Sequence, residues 1–169
     1  MPAKADDLKT GERPSSGARS QASARFMVKA PYEAVAFFHH NTNALRRLTP
    51  PPVFVQLHRV EPLAENSRSE FTLWFGPLPV RWQAVHSQVG PHGFTDRQAR
   101  GPMKFWEHRH QWQAVDERTT MMDEQIQYEH HSGLRGLFSR LLFAPPLLRL
   151  MLTYRKWVIR RAVERVDYP

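Results

Sequence analysis

The feature that most constrains the fold is a sustained alternation of apolar and polar side chains between residues 53 and 130. Successive side chains of a β-strand point to opposite faces of a sheet, so this alternation predicts strands with one buried face. Short turns rich in Gly, Pro, Asn or Asp interrupt it, among them Gly76-Pro77 and Gly101-Pro102. We predict strands at 53–60, 69–75, 80–89, 94–100, 103–115 and 119–130.

The connections between these strands are too short for parallel neighbours, which need crossovers of about a dozen residues or more. The strands are therefore expected to form an antiparallel meander. A further strand is predicted at residues 23–29, followed by a helix at 31–39 and a second short helix that Asn43 can cap. The proline run 50–52 ends that second helix.

Two helices are predicted after the meander, at residues 133–143 and 147–166, with Pro145-Pro146 between them. On the longer helix, polar side chains share one narrow sector and apolar side chains cover the rest. A helix with so wide an apolar arc is expected to be enclosed on most sides, which a curved sheet can do. The fold class is α+β, a curved seven-stranded antiparallel sheet around a long C-terminal helix. A void between sheet and helix is a common position for a ligand pocket.

The composition suits one domain, predicted at residues 21–169 and preceded by a disordered tail at 1–20 that is polar and aperiodic. The chain has no Cys, which excludes disulfides, thiolate zinc sites and a Cys nucleophile. Its first residues lack the apolar core of a signal peptide, and no stretch of about 18 apolar residues is evident. We therefore expect a cytoplasmic protein.

The formal net charge of +8 is concentrated near the C-terminus, where residues 146–166 carry six Lys and Arg against Glu164 alone. A solvated helix face accounts for such a run, because basic residues are favoured near helix C-termini. Contact with an anionic membrane or with nucleic acid is the alternative. The aromatic residues of this helix belong to its apolar arc and are expected in the core, so no specific nucleic acid partner is predicted, and membrane contact is expected to be weak.

The alternation also separates the side chains that should face inward on three strands. They are Trp82, Ala84 and His86; Trp106, His108, His110 and Trp112; and Met122, Glu124, Ile126 and Tyr128. An interior with three histidines and a carboxylate is more polar than a plain core requires, and buried polar groups must be paired. Either these groups satisfy one another across strands, or they contact a ligand. His108-x-His110 near an acid has the ligand types of a zinc site, but no supporting motif accompanies it, and we predict no metal and no cofactor.

Arg155 lies near the middle of the apolar arc of the last helix. It could extend to solvent, or its fork of donors could bind Glu124 or an acidic ligand. For catalysis, His108 or His110 beside Glu124 could act as a general base. No nucleophile elbow, phosphate loop or dinucleotide-binding fingerprint accompanies that pair.

Several stretches carry a resemblance to a known family. They are residues 76–82, 94–98, 101–103, 106–110 and 124–128, with Tyr154-Arg155 in the last helix. In order and spacing they resemble the START-like or SRPBCC superfamily of ligand-binding proteins, polyketide cyclases and lipid carriers, in particular its bacterial cyclase- or cell-division-inhibitor-like members. The resemblance spans residues 24–165 and implies a helix-grip fold of order β-α-α-β6-α. The acidic position of the family is Asp123 or Glu124 here, and Glu124 is favoured because it is in phase with Ile126.

The resemblance implies a function class but no single activity. We expect a protein that holds a small apolar, lipid-like or aromatic ligand between the sheet and the C-terminal helix. The alternative is a polyketide cyclase/dehydratase-like enzyme that uses a His/Glu pair in the same cavity. The residues predicted to contact the ligand are Trp82, His86, Trp106, His108, His110, Glu124, Tyr128, Tyr154 and Arg155.

Overall fold

The computed structural model describes residues 19–41 and 43–164. Most of the predicted tail, residues 1–18, and the end of the chain from residue 165 lie outside the described residues. The first strand begins at Ser20, within the segment predicted as tail. In chain order the described elements are β1 (Ser20–Val28), α1 (Tyr32–His40), α2 (Ala44–Leu48), β2 (Phe54–Val60), β3 (Arg68–Phe75), β4 (Leu78–Gly90), β5 (Gly93–Arg100), β6 (Phe105–Asp116), β7 (Thr119–Glu129), α3 (Gly133–Leu142) and α4 (Pro145–Val163).

The strands form one seven-stranded antiparallel sheet in the order β1-β7-β6-β5-β4-β3-β2. The predicted meander is confirmed, and β1 joins its end by pairing with β7, from Ser20 opposite Tyr128 to Val28 opposite Thr120. The register shifts in the β2–β3, β4–β5 and β6–β7 pairings. Such irregularities bend strands and increase their twist, which lets a sheet curve around a helix.

Two turns in the structure show how local sequence sets the ends of elements. Gly76, in the β3–β4 turn, has a φ of 63°, a left-handed conformation that glycine adopts without steric cost. Asn43 precedes α2 as predicted, but its side chain makes no capping hydrogen bond. Instead, Oδ1 of Asn41 accepts a hydrogen bond from the backbone N–H of Asn43 at 2.8 Å.

Helix α4 buries one face against the sheet rather than most of its circumference, which corrects the expectation of a helix enclosed on most sides. Its buried residues are Leu148, Leu152, Arg155, Val158, Ile159 and Val163. Leu147, Leu150 and Trp157, all in the predicted apolar arc, are each about half exposed. The reason is geometric: the sheet contacts α4 from one side, and these three side chains lie outside that contact.

The segment 133–163 corrects a second expectation, namely that the chain has no apolar stretch of about 18 residues. Its most apolar window has a mean hydropathy of 1.2, so by length and composition alone it could cross a membrane. In the structure the segment is not one continuous helix, because α3 ends at Leu142 and α4 begins at Pro145. Since α4 also packs Leu148 and Leu152 into the core, the segment is a helix pair whose second member completes the fold.

Candidate ligand-binding site

A cavity of about 450 Å³ lies between the inner face of the sheet, α1–α2 and the N-terminal half of α4. Its size is within the range typical of sites for small ligands. Most of its wall is apolar. The apolar side chains include Leu45, Leu48, Phe71, Leu73, Trp82, Trp106, Phe143, Leu148 and Met151.

Aromatic rings form one side of the cavity. Trp82 stacks on Phe71, with ring centroids 6.2 Å apart and an interplanar angle of 12°. Trp106 meets Trp82 edge to face at 5.4 Å, and Phe143 contacts both rings. Rings held at fixed angles offer both faces and edges to a flat apolar ligand.

A connected chain of ionisable side chains crosses four strands at the polar end of the cavity. Nε2 of His86 contacts Oδ1 of Asp96 at 2.9 Å, and the other carboxylate oxygen, Oδ2, contacts Nε2 of His110 at 3.0 Å. Nδ1 of His110 lies 3.2 Å from Oε1 of Glu124. Arg155 of α4 completes the chain by donating to Glu124 from Nε and Nη2, at 3.0–3.2 Å. We refer to these five residues as the ionic chain.

Strand register explains why the ionic chain forms. His86 lies directly opposite Asp96 in the β4–β5 pairing, and His110 directly opposite Glu124 in the β6–β7 pairing. Side chains at directly opposed positions share a face and lie within contact distance. Arg155 reaches the same place because it occupies the buried face of α4.

The charges along the ionic chain follow from these contacts. Burial by itself lowers the pKa of His110, but its hydrogen bonds to Asp96 and Glu124 outweigh burial and raise that pKa above its ordinary value. Burial raises the pKa of Glu124, but Arg155 and His110 hold it well below the usual range. For the same reason, hydrogen bonds from His110 and His86 keep the pKa of Asp96 low despite burial. These contacts therefore favour the charged form of each group along the ionic chain.

Two further buried histidines beside the ionic chain are neutral. Burial, together with the nearby His110, lowers the pKa of His39 to about 4. Burial, with His110 and Arg155, also lowers the pKa of His108 well below its ordinary value. Nδ1–H of His39 donates to the carbonyl of Val35 at 2.8 Å, while Nε2 has no partner among the described residues. A neutral imidazole with an unpaired Nε2 is a hydrogen-bond acceptor.

Two overlapping sets of side chains at this end have the spacing of metal ligands. They are His39, His110 and Glu124, and Asp96, His108 and His110. Arg155 already forms a salt bridge with Glu124, and both ring nitrogens of His110 already contact carboxylates. A metal ion would have to displace these pairs, so the ionic chain is better described as self-paired than as a metal centre.

The sequence-predicted inward faces are confirmed on all three strands, where the named residues are buried. Arg155 pairs with Glu124 instead of extending to solvent, and Glu124 is the inward acid, whereas Asp123 is partly exposed and lies 3.9 Å from Arg25. Of the nine predicted ligand contacts, the cavity wall includes Trp82, His86, Trp106, His110 and Arg155.

The other four predicted contacts lie behind or beside the cavity wall. The ring of His108 packs at a tilt against that of His110, with ring centroids 3.9 Å apart, and Tyr128 packs against Trp106. Glu124 is fully buried beneath Arg155, and Tyr154 contacts Trp157 along α4. Any effect of these four side chains on a ligand would therefore pass through a neighbour.

His39 and Asp96 are among the polar residues of the cavity wall that sequence reasoning missed. A signal for Asp96 was present, because it is in phase with the buried Phe94 on β5. His39 follows Val35 by four residues and so shares its helix face, but a histidine at the end of a short helix resembles a solvated terminus. Only the tertiary fold places His39 against Trp112, with ring centroids 5.0 Å apart.

No protein-family model matches the sequence, and no curated protein sequence is significantly similar to it. Solved structures, by contrast, match nearly the whole chain. A START superfamily protein from Mycobacterium smegmatis has a TM-score of 0.61 at 12% identity, covering 87% of this chain and 99% of its own. The fold is that of the START-like superfamily.

Two enzymes share this START-like fold. An aromatase/cyclase from a Streptomyces species has a TM-score of 0.60 at 12% identity, with 85% of this chain and 90% of the enzyme covered. Norcoclaurine synthase from Thalictrum flavum, solved with dopamine and hydroxybenzaldehyde, has a TM-score of 0.60 at 13% identity and covers 89% of this chain and 90% of its own. At these identities the likeness concerns the fold, and function has to be argued from the site of this chain.

Proposed function

We propose that this START-like protein binds a small apolar or aromatic molecule, with one polar end, in the cavity between the sheet and α4. The observation that supports this most directly is the contrast between the two ends of the cavity. Aromatic and aliphatic side chains surround most of it, whereas His39 and four members of the ionic chain, all but Glu124, line one end. Pockets of this kind gain affinity from apolar burial and orientation from a few polar groups.

The polar end has hydrogen-bonding capacity that the protein does not use. Arg155 donates to Glu124 from Nε and Nη2, which leaves Nη1 without a partner among the described residues. Nε2 of His39 is unpaired as well. Because Arg155 lines the cavity, a ligand hydroxyl can accept a hydrogen bond from Nη1, so a phenol or an alcohol fits this end.

The cyclase/dehydratase alternative receives less support from the geometry. A general base needs a free lone pair at neutral pH. His110 has a carboxylate on each ring nitrogen and a raised pKa, while His108 does not line the cavity. The histidine/carboxylate pair predicted as catalytic therefore holds the cavity wall together, and we favour a binder without turnover.

The proposal can be tested by introducing a large side chain into the cavity. Ala84 is buried and lines the cavity on β4, whereas the neighbouring Val85 points to the opposite face of the sheet. We expect wild-type protein to bind the fluorescent probe 1-anilinonaphthalene-8-sulfonate and to carry small molecules visible by native mass spectrometry. Ala84→Phe should abolish both signals, because a phenyl ring occupies the ligand volume.

Val85→Phe is the matched control, since it adds a phenyl ring to the same strand outside the cavity. It should retain probe binding and any co-purified molecule. Equal binding by the wild type and Ala84→Phe would contradict the proposal. Turnover of a bound molecule, detected by mass spectrometry and lost in His110→Gln, would favour the enzyme instead.

A further inference from the structure

Helix α3 presents its apolar residues to solvent rather than to the core. Leu134, Leu137, Phe138 and Leu141 follow the spacing i, i+3, i+4, i+7 that defines one face of a helix. The three leucines are 88%, 63% and 70% exposed. We call these four residues the α3 stripe. An amphipathic helix in a globular protein normally buries such a stripe, so this one is oriented for contact with something outside the chain.

The inner side of α3 explains this orientation. Gly136 and Ser139 are the buried residues of the helix. Gly136 lies so close to the backbone of His131 that a side chain would not fit there, and Ser139 hydrogen-bonds to His130 at 2.9 Å. Small, polar-anchored residues therefore fix α3 to the protein and leave the leucines outside.

The segment that contains the α3 stripe carries only basic charged side chains. Residues 130–163 contain no Asp or Glu, and they contain seven Lys and Arg. Arg135, Arg140 and Arg149 are exposed and form no salt bridge with any residue that the structure describes. Apolar side chains flanked by unpaired guanidinium groups complement the anionic headgroups and acyl chains of a bilayer.

The stripe also adjoins the cavity. Leu142, the last residue of α3, lines the cavity, as do Leu147 and Leu150 of α4, which are about half exposed. Apolar surface thus continues from the stripe to the cavity wall. A molecule leaving the acyl-chain region would meet apolar side chains along this path.

We propose that α3 docks this protein on the surface of anionic membranes, with the α3 stripe inserted at the headgroup boundary. A second copy of the chain is a less suitable occupant, because pairing two such surfaces would bring unpaired arginines of both copies together. The docking proposal does not depend on which molecule, if any, the cavity holds.

The test is cosedimentation of the full-length protein with vesicles. We expect binding to vesicles of equimolar phosphatidylcholine and phosphatidylglycerol, weakening as salt is raised, and little binding to phosphatidylcholine alone. Leu137→Asp/Leu141→Asp should lower the partition coefficient by at least about tenfold, since two leucines no longer enter the apolar region. Phe37→Asp/Val115→Asp, which makes the same charge change at exposed apolar positions of α1 and β6, should stay within about twofold of the wild type.

Several results would overturn docking on anionic membranes. They are failure of the wild type to bind anionic vesicles, equal binding to neutral vesicles, and equal losses in the two double variants. Concentration-dependent dimerisation that Leu137→Asp/Leu141→Asp abolishes would identify the stripe as a protein interface instead. Binding of 1-anilinonaphthalene-8-sulfonate to Ala84→Phe and to the stripe variant separates failure of docking from failure of the cavity proposal.

Discussion

Glu124 is completely buried, yet it is held as a carboxylate because Arg155 and His110 both donate to it. Removing two charges from water costs several kcal/mol for each ion, and that cost is recovered only where geometry and hydrogen bonding are good. Here the guanidinium approaches the carboxylate through two nitrogens. The pair is therefore most sensitive to the loss of a single member.

Arg155→Met should destabilise the protein by about 3–5 kcal/mol, because it leaves Glu124 as an uncompensated buried charge. Adding Glu124→Gln to that variant should recover part of the loss. Lys156→Met, at the next and more exposed position, should change stability by about 0.5 kcal/mol or less. Urea denaturation of the four proteins measures these differences. Similar losses for the Arg155 and Lys156 variants would show that the ion pair contributes little.

Asp96 belongs to the same network from the opposite side, since His86 and His110 both contact its carboxylate. Asp96→Asn removes the negative charge that favours both imidazolium ions, so the pKa of each histidine should fall. Histidine side-chain NMR titration measures this shift. Arg100→Gln, at an exposed position of the same strand, supplies a control that changes charge away from these rings, and a His110 pKa unaffected by Asp96→Asn would contradict the assigned contacts.

At the scale of elements, strands were easier to predict than helix environments. A strand that is buried on one face alternates apolar and polar residues along its own sequence. For this reason the inward-facing residues of β4, β6 and β7 were predicted correctly. The sequence of α4 does not show in the same way which elements pack against it. Its wide apolar arc combines a core-facing side with Leu150 and Trp157, which are each more than half exposed, and the arc alone does not show where the sheet ends.

The candidate site was predictable only in part for a related reason. Strand phase gave Trp82, His86, Trp106 and His110, because they lie on predicted inward faces. His39 comes from a different element, and only the packing of α1 on β6 brings it to the cavity. Contacts between elements distant in sequence depend on tertiary geometry, which alternation does not encode.

Two nearby leucines of α4 test the assignment of its faces. Leu152→Ala, at a residue 2% exposed, should destabilise the protein by about 2–5 kcal/mol through loss of buried surface and creation of a cavity. Leu150→Ala, at a residue 59% exposed, should change stability by about 0.5 kcal/mol or less. Thermal and urea unfolding measure both effects. A larger loss for Leu150→Ala would mean that another surface covers this side of α4.

The whole molecule combines buried histidines with opposite pKa shifts, and this fixes the direction of its pH dependence. The pKa values of His110 and His86 are raised, so their stabilising contribution is complete below about pH 6.5 and is lost as pH rises through their folded values. Those of His39 and His108 are lowered, so stability falls as pH drops below about 6.5, where the unfolded chain binds protons first. The lowered pKa values of the carboxyl groups add a further loss below about pH 4.

The free energy of unfolding should therefore be greatest near pH 6.5 and decline on both sides, which urea titrations at pH 5, 6.5 and 8 can measure. With its pKa at about 4, His39 alone should lower stability by about 2 kcal/mol between pH 7 and pH 5. His39→Gln removes one titrating group and should reduce the loss of stability on the acid side of the profile, whereas His40→Gln, at the exposed neighbour, should preserve that loss. If the free energy of unfolding below pH 6.5 were unchanged in His39→Gln, this histidine would not be neutral in the folded protein. Its Nε2 would then not be the unpaired acceptor assigned to the polar end of the cavity.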